Sequence, residues 1–197
     1  MSENRTLDYY NKNASSFAET TIDVDFQETQ KRFQKLLPMQ GYILDFGCGS
    51  GRDTKYFLNQ NFKVDAIDGS EKLCRIASDY TGIKVKKKCF LKNLTKKKYD
   101  GIWACASILH LPQNELRMVF RKMVKALKRD GIIYTSFKYG DFEGERNGRY
   151  FTDFTEEKFN KFAHNIECVK LKEAWITRDV RPGRGEEKWL NLILQKN

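Results

Sequence analysis

The stretch best equipped for chemistry is Tyr42-Ile43-Leu44-Asp45-Phe46-Gly47-Cys48-Gly49-Ser50-Gly51, an apolar run that ends in an acid and three alternate glycines. A turn of this kind, placed ahead of a helix, lets backbone N–H groups and the helix N-terminus approach a ligand closely. Glycine makes this possible because it lacks the Cβ that would block the approach. The spacing separates two ligand classes. A dinucleotide fingerprint needs glycine at its first, third and sixth positions. Counted from Gly47 the sixth position is Arg52, and the third glycine falls at the fifth, Gly51. A nicotinamide dinucleotide is therefore not the expected ligand. A second acid, Asp68, ends the run Val64-Asp65-Ala66-Ile67-Asp68, 17 residues after Gly51. A carboxylate at the tip of the next parallel strand can accept hydrogen bonds from both hydroxyls of a ribose. Gly69 and Ser70 can cap the helix that follows, which leaves Asp68 free for that contact.

These residues need a scaffold, and the hydrophobic pattern supplies one. Leu7 to Thr20 and Asp25 to Leu37 have helical spacing, the second ending at Pro38, and form an N-terminal helical cap. Short apolar strands then alternate with helices: strand Tyr42–Phe46, helix Asp53–Asn61, strand Lys63–Ile67, helix Ser70–Tyr80, strand Ile83–Phe90 and strand Gly101–Ala106. Helix Gln113–Arg129 and strand Gly131–Phe137 complete this core. The alternation predicts right-handed crossovers and a parallel sheet covered on both faces. The remainder reads as a loop from Lys138 to Asp153, a helix Thr155–Ala163, and two strands, Glu167–Thr177 and Lys188–Leu194, with no helix between them. Consecutive strands joined in this way pair antiparallel. The expected architecture is a doubly wound α/β fold. Its sheet is Rossmann-like, seven-stranded and mostly parallel, with one antiparallel strand near the C-terminus. A single domain is expected, with residues 1–38 as cap, 41–137 as ligand-binding core and 138–197 as substrate-side elements.

Asp45-x-Gly47-x-Gly49-x-Gly51 resembles the first motif of class I S-adenosylmethionine (SAM) dependent methyltransferases. The resemblance implies that Asp45, Gly47, Cys48, Gly49, Gly51 and Arg52 surround the methionine end of SAM, and that Asp68 and Gly69 meet its ribose. It places Phe90 and Leu91 against the adenine, although the acid often found just after that strand is missing among Lys92, Asn93 and Leu94. It also implies that Ala104 and Ala106 offer carbonyls to the amine and sulfonium. The pairs Tyr9-Tyr10 and Arg52-Asp53, with the exit Leu109-His110-Leu111-Pro112, are similar to those of tellurite-resistance-type small-molecule methyltransferases. Methyl transfer needs no nucleophile on the enzyme. An oxygen or nitrogen acceptor would need a base, for which His110 and Tyr10 are the candidates; a histidine bonded to a loop carbonyl is the alternative reading of His110.

Arg146, Arg149, Arg181 and Arg184 lie in two C-terminal segments with aromatic neighbours. Their planar forks suit a carboxylate or phosphate, so they are candidate acceptor-binding residues, with solvated loop charge as the alternative. The net charge of +10 comes largely from Lys84, Lys86, Lys87, Lys88, Lys92, Lys96, Lys97 and Lys98, a run without an acid. This run is expected to be a solvated edge, and it is also what motivates RNA as a second acceptor class. The five cysteines are odd in number and lack a Cys-x-x-Cys pair, so neither a disulfide framework nor a metal site is expected. Without a signal-like start or an apolar run long enough to span a bilayer, the chain is expected in the cytoplasm, away from membranes, as a monomer or homodimer. Three functions follow: a small-molecule methyltransferase acting on an anionic or thiol acceptor, an RNA methyltransferase (tRNA among its substrates), and a SAM-binding protein without catalysis.

Overall fold

The computed structural model describes residues 2–96 and 98–197, with only the backbone for 2–4. Lys97 of the lysine run and the initial Met1 lie outside the described residues. In chain order the elements are helices α1 (Ser2–Lys12), α2 (Ala14–Glu19) and α3 (Gln27–Gln34), strand β1 (Tyr42–Phe46), α4 (Arg52–Asn59), β2 (Lys63–Asp68), α5 (Glu71–Thr81), β3 (Lys86–Lys87) and β4 (Tyr99–Ala104). A short 3₁₀ turn (Ile108–His110), α6 (Gln113–Ala126), β5 (Leu127–Lys138), the hairpin β6 (Glu143–Arg146) and β7 (Arg149–Thr152), α7 (Glu156–Ala163), β8 (Val169–Arg178) and β9 (Lys188–Lys196) follow.

Seven strands form one sheet in the order β3-β2-β1-β4-β5-β9-β8. The first five run parallel, and β9 pairs antiparallel with both β5 and β8, so β9 is the one reversed strand. Alternate residues of each strand enter opposite layers, because side chains switch face at every residue. Leu44, Phe46, Ile102, Ile133 and Leu192 pack with α6 and α7, whereas Ile43, Trp103, Tyr134 and Ile193 pack with Phe33 of α3 and Phe57 of α4. Trp103 and Tyr134 stack with ring centres 4.0 Å apart at the middle of this second layer.

Beyond shifts of a few residues at element ends, four segments differ from the sequence reading. The predicted helix Leu7–Thr20 is two helices, because Asn13 leaves the helical backbone and its side chain donates to the Tyr9 carbonyl at 2.8 Å. The predicted strand Ile83–Phe90 shrinks to Lys86–Lys87. It is an edge strand with one neighbour, and repelling lysines favour a short edge. Helix α6 stops at Ala126, where Leu127 turns extended to pair with Tyr99, and a bulge carries the ladder on to Gly101 and Ile132. The predicted loop Lys138–Asp153 contains a hairpin whose turn residues, Asn147 and Gly148, have φ of 51° and 73°. Two consecutive positive φ values make a type I′ turn, for which Asn-Gly is the preferred pair.

Gly51 at the start of α4 has φ +87°, and a Cβ there would lie 2.8 Å from Thr81 Cγ2 and 3.1 Å from Ala77 Cβ on α5. Its place in the motif is thus a helix-packing requirement. Gly51→Ala should destabilise the fold by roughly 2–4 kcal/mol, from the left-handed backbone and the overpacking together. Urea denaturation checks this, and a loss below 0.5 kcal/mol would contradict the packing account.

Candidate functional site

At the C-terminal ends of β1, β2 and β4 the structure forms a partly open cavity of about 650 Å³. The glycine turn forms one wall. Gly47 and Cys48 donate their N–H groups to the Ile67 carbonyl at 2.9 and 3.0 Å, which pins the turn to β2. Asp68, buried at the end of β2, accepts from Gly49 N–H at 3.0 Å and from Ser70 N–H at 2.8 Å. Burial pushes the Asp68 carboxyl above its ordinary pKa, against these backbone hydrogen bonds. A Cβ on Gly47 would lie 2.4 Å from Ser107 Cβ and 3.0 Å from Phe90 Cζ, and one on Gly69 would meet Leu7 of α1 at 2.4 Å. Both glycines are needed for close approach around the cavity, which Phe90 also lines.

The N-terminal helices close over this turn. Phe17 lies 3.1 Å from the Cβ position of Gly49, and Thr21 donates to Ser50 Oγ at 3.1 Å. Beneath them Asp53 is buried among four donor contacts: Arg52 through Nε (2.8 Å) and Nη2 (2.9 Å), Gln30 (2.7 Å) and the Trp103 indole (2.8 Å). Burial alone would raise Asp53, but the Arg52 guanidinium and the two other donors hold its pKa below the ordinary value. Arg52 lines the cavity with its charge already matched, and it lies 4.6 Å over the Phe26 ring.

His110 and Tyr10 meet across the cavity wall. Tyr10 Oη lies 2.8 Å from His110 Nε2, and His110 Nδ1 lies 2.7 Å from the Tyr150 carbonyl oxygen. A carbonyl can only accept, so Nδ1 carries the proton, Nε2 accepts, and Tyr10 donates. Burial pushes His110 down to about 4, and Arg149 and Arg146 add to the depression. Tyr10 is raised by its own burial, so its hydroxyl keeps its proton. His110 is thus bonded to a backbone carbonyl, that of Tyr150 in β7 where a loop was expected, and it also lines the cavity, where its lowered pKa leaves the ring a weak base.

All four candidate arginines line the cavity, with unequal partners. Arg146 makes a two-pronged pair with Asp153 at 2.9 Å on each prong. Arg181 forks onto Asp179 at 2.9 and 2.5 Å, and Arg184 onto Glu187 at 2.5 and 2.8 Å. Burial would raise Asp179, yet the Arg181 hydrogen bonds hold it far below the carboxylate range. Lys138, which the sequence reading passed over, is buried between Asp179 and Glu187 and lies 4.1 Å over the Trp189 ring. The acids two residues before Arg181 and three after Arg184 were the available signal for this matched cluster.

Four expected cofactor residues do not line the cavity. Asp45 faces the opposite layer and accepts from Thr54 Oγ1 at 2.5 Å; burial and the Asp53 carboxylate push its pKa up. Gly51 packs on α5. Leu91 packs partly buried on the large core cluster, its carbonyl taken by Lys122, and Ala104 is fully buried within that cluster. The remaining residues, Gly47, Cys48, Gly49, Arg52, Asp68, Gly69, Phe90 and Ala106, are brought together. No group of three or more His, Cys, Asp or Glu among the described residues could hold a metal ion.

Residues 43–131 match the family model described as a methyltransferase domain. Across solved structures the chain is similar to the Burkholderia thailandensis 1,6-didemethyltoxoflavin-N1-methyltransferase, crystallised with 1,6-didemethyltoxoflavin and S-adenosylhomocysteine. That likeness has TM-score 0.79 and 19% identity, covering 97% of this chain and 87% of the other. A TehB-like SAM-dependent methyltransferase from Corynebacterium glutamicum superposes with TM-score 0.69 and 17% identity, covering 97% and 98%. In sequence the chain is 24% identical over 140 residues to YqeM of Bacillus subtilis, named as a candidate methyltransferase. That match takes in 65% of this chain and 56% of the relative, so the chain spans just over half the relative's length.

His110 is neutral in the fold but protonates near pH 6.5 once unfolded. Its contribution to stability is therefore complete above pH 6.5 and is lost as pH falls toward the folded value of about 4. Between pH 7 and pH 4.5 the wild type should lose about 2.5 kcal/mol more stability than His110→Gln, measured by urea denaturation at each pH. Equal losses in the two proteins would remove His110 as the cause.

Proposed function

We propose that this chain, which carries a methyltransferase domain over residues 43–131 in a class I methyltransferase fold, transfers the methyl group of SAM to a small-molecule acceptor, an anionic or thiol compound, and releases S-adenosylhomocysteine. The observation that carries the reading is this cavity. At about 650 Å³ it has the size of small-molecule pockets, ~300–1,000 Å³. The N-terminal helices and the hairpin β6–β7 contribute walls to it, as Tyr10, Phe17, Arg149 and Phe151 line it.

The residues present fit the cofactor. Asp68 has carboxylate lone pairs beyond those taken by Gly49 and Ser70, enough for ribose hydroxyls. Gly47 and Gly49 keep the wall thin where a methionine chain would pass, and Phe90 offers a ring to the adenine. When bound, SAM supplies an electrophilic methyl group on a sulfonium. The protein's part is to align the acceptor with that group and exclude water, which removes several kcal/mol or more of the barrier. His110, pushed down to about 4, is too weak a base to deprotonate an alcohol or an amine at neutral pH. An acceptor whose nucleophilic lone pair is already free, such as a thiolate, an oxyanion or a neutral amine, needs no such base. Tyr10 and His110 then orient the acceptor.

RNA is the second reading, carried by the lysine run. Two of its members are already engaged, Lys87 with Glu71 at 3.2 Å and Lys98 with Asp65 at 2.7 Å. Incubation with methyl-labelled SAM and separate pools of metabolites below about 1 kDa and of RNA should label the metabolite pool. Label confined to RNA would reverse the assignment. Asp68→Ala should weaken SAM and S-adenosylhomocysteine binding at least ten-fold in calorimetry while the protein stays folded by circular dichroism. Unchanged affinity would sink the ribose assignment.

A further inference from the structure

The cavity's positive charges are not equivalent. Arg52, Arg146, Arg181 and Arg184 each reach a carboxylate at hydrogen-bond distance, and Lys138 lies between two. Arg178 and Lys188 have no such partner but are exposed at the rim, where water screens them. Arg149 is different. It is half-buried and lines the cavity, and among the described residues it has no carboxylate partner. Its one side-chain hydrogen bond among the described residues runs from Nη1 to Tyr10 Oη at 3.3 Å, and its Nε is buried with no acceptor.

Aromatic faces surround it. The guanidinium carbon lies 4.3 Å from the Tyr9 ring centre, 5.1 Å from that of Phe151 and 5.7 Å from that of Tyr10. Rings attract a cation through their faces but accept no hydrogen bond in the plane of the guanidinium. A half-buried cation whose planar donors lack acceptors is incompletely compensated, and one anionic group placed in that plane corrects it. The other cations show what such compensation looks like here, with a two-pronged carboxylate on each of Arg146 and Arg181.

We propose that Arg149 is the anion-binding residue of the acceptor site and that the acceptor carries a carboxylate, with Arg146, Arg181 and Arg184 shaping the wall without binding it. One uncompensated guanidinium calls for one negative charge, which favours a carboxylate over a phosphate dianion. The hydrogen bond to Tyr10 places that carboxylate beside the Tyr10–His110 pair, so the same contact that recognises the charge fixes the acceptor's position. This inference rests on the small-molecule reading above and names its substrate class.

The test uses acetate and benzoate as probes, with acetamide and benzamide as neutral isosteres and inorganic phosphate as the competing anion. Binding is measured by ligand-observed NMR on the whole protein, both free and saturated with S-adenosylhomocysteine. At least one carboxylate should bind five-fold or more tightly than its amide and more tightly than phosphate. Arg149→Met should weaken it at least ten-fold, Arg149→Lys should restore part of the loss, and Arg178→Met, which removes an exposed cation at the rim, should leave it within two-fold. Affinity for S-adenosylhomocysteine, which Arg149 does not line on this account, should stay within three-fold in every variant. Equal binding of acid and amide, no carboxylate binding, preference for phosphate, carboxylate affinity that survives Arg149→Met, or a loss of S-adenosylhomocysteine affinity beyond three-fold in Arg149→Met, which would assign the guanidinium to the cofactor's own carboxylate, would each overturn the proposal. Failure of the wild type to bind S-adenosylhomocysteine would overturn the methyltransferase reading instead, and the Arg149 comparison would then be read on the free protein.

Discussion

The site depends first on the Asp68 carboxylate, placed at the end of β2 where it is nearly cut off from water. A carboxylate in that position needs donors, and it finds them in the backbone of Gly49 and Ser70. One group thereby fixes the glycine turn after β1 relative to the start of α5. Because both donors are backbone N–H groups, the geometry does not depend on flexible side chains. The lone pairs left over face a cavity, so the interaction that shapes the wall also leaves acceptors for a ligand's hydroxyls.

A second buried acid extends this logic to the cap. Asp53 gathers Arg52, Gln30 and the Trp103 indole, and so ties α3, α4 and β4 at one point. Leaving any of these polar groups unpaired inside the protein would cost about 1–3 kcal/mol, and more for the charged ones. The cap is therefore held by satisfied polar contacts as well as by Phe33 and Phe26. The rim on the other side follows the same rule, with Asp153, Asp179 and Glu187 neutralising arginines that could not stand alone in a half-dry cavity. Arg149 stands out against that background because the rule is not met there.

Much of this was legible in the chain. The strand–turn–helix run from Tyr42 to Arg52 and the acid at Asp68 were read together as one candidate site, and most of the turn and Asp68 do line one cavity. The alternation of strands and helices announced the sheet, and two final strands without a helix between them announced the reversed β9. Asn147-Gly148 was an equally local signal for the hairpin β6–β7, although the surrounding charge made the segment read as a loop.

What the sequence by itself determined is what short-range chemistry determines: the periodicity of the elements, the glycine turn, the position of the acids at strand ends and the class of cofactor they suit. It could not tell that Gly51 serves helix packing, that Asp45 faces Thr54 in the other layer, or that Ala104 is sealed in the core. Nor could it tell that Tyr10, His110 and Arg149 meet. These are decided by which faces of distant segments come together, and residues 100 or 139 positions apart in the chain leave no local trace of the contact. The state of each charge was the tertiary structure's to decide for the same reason, because whether an arginine is matched or uncompensated depends on the carboxylates around it in space and on the water that burial removes.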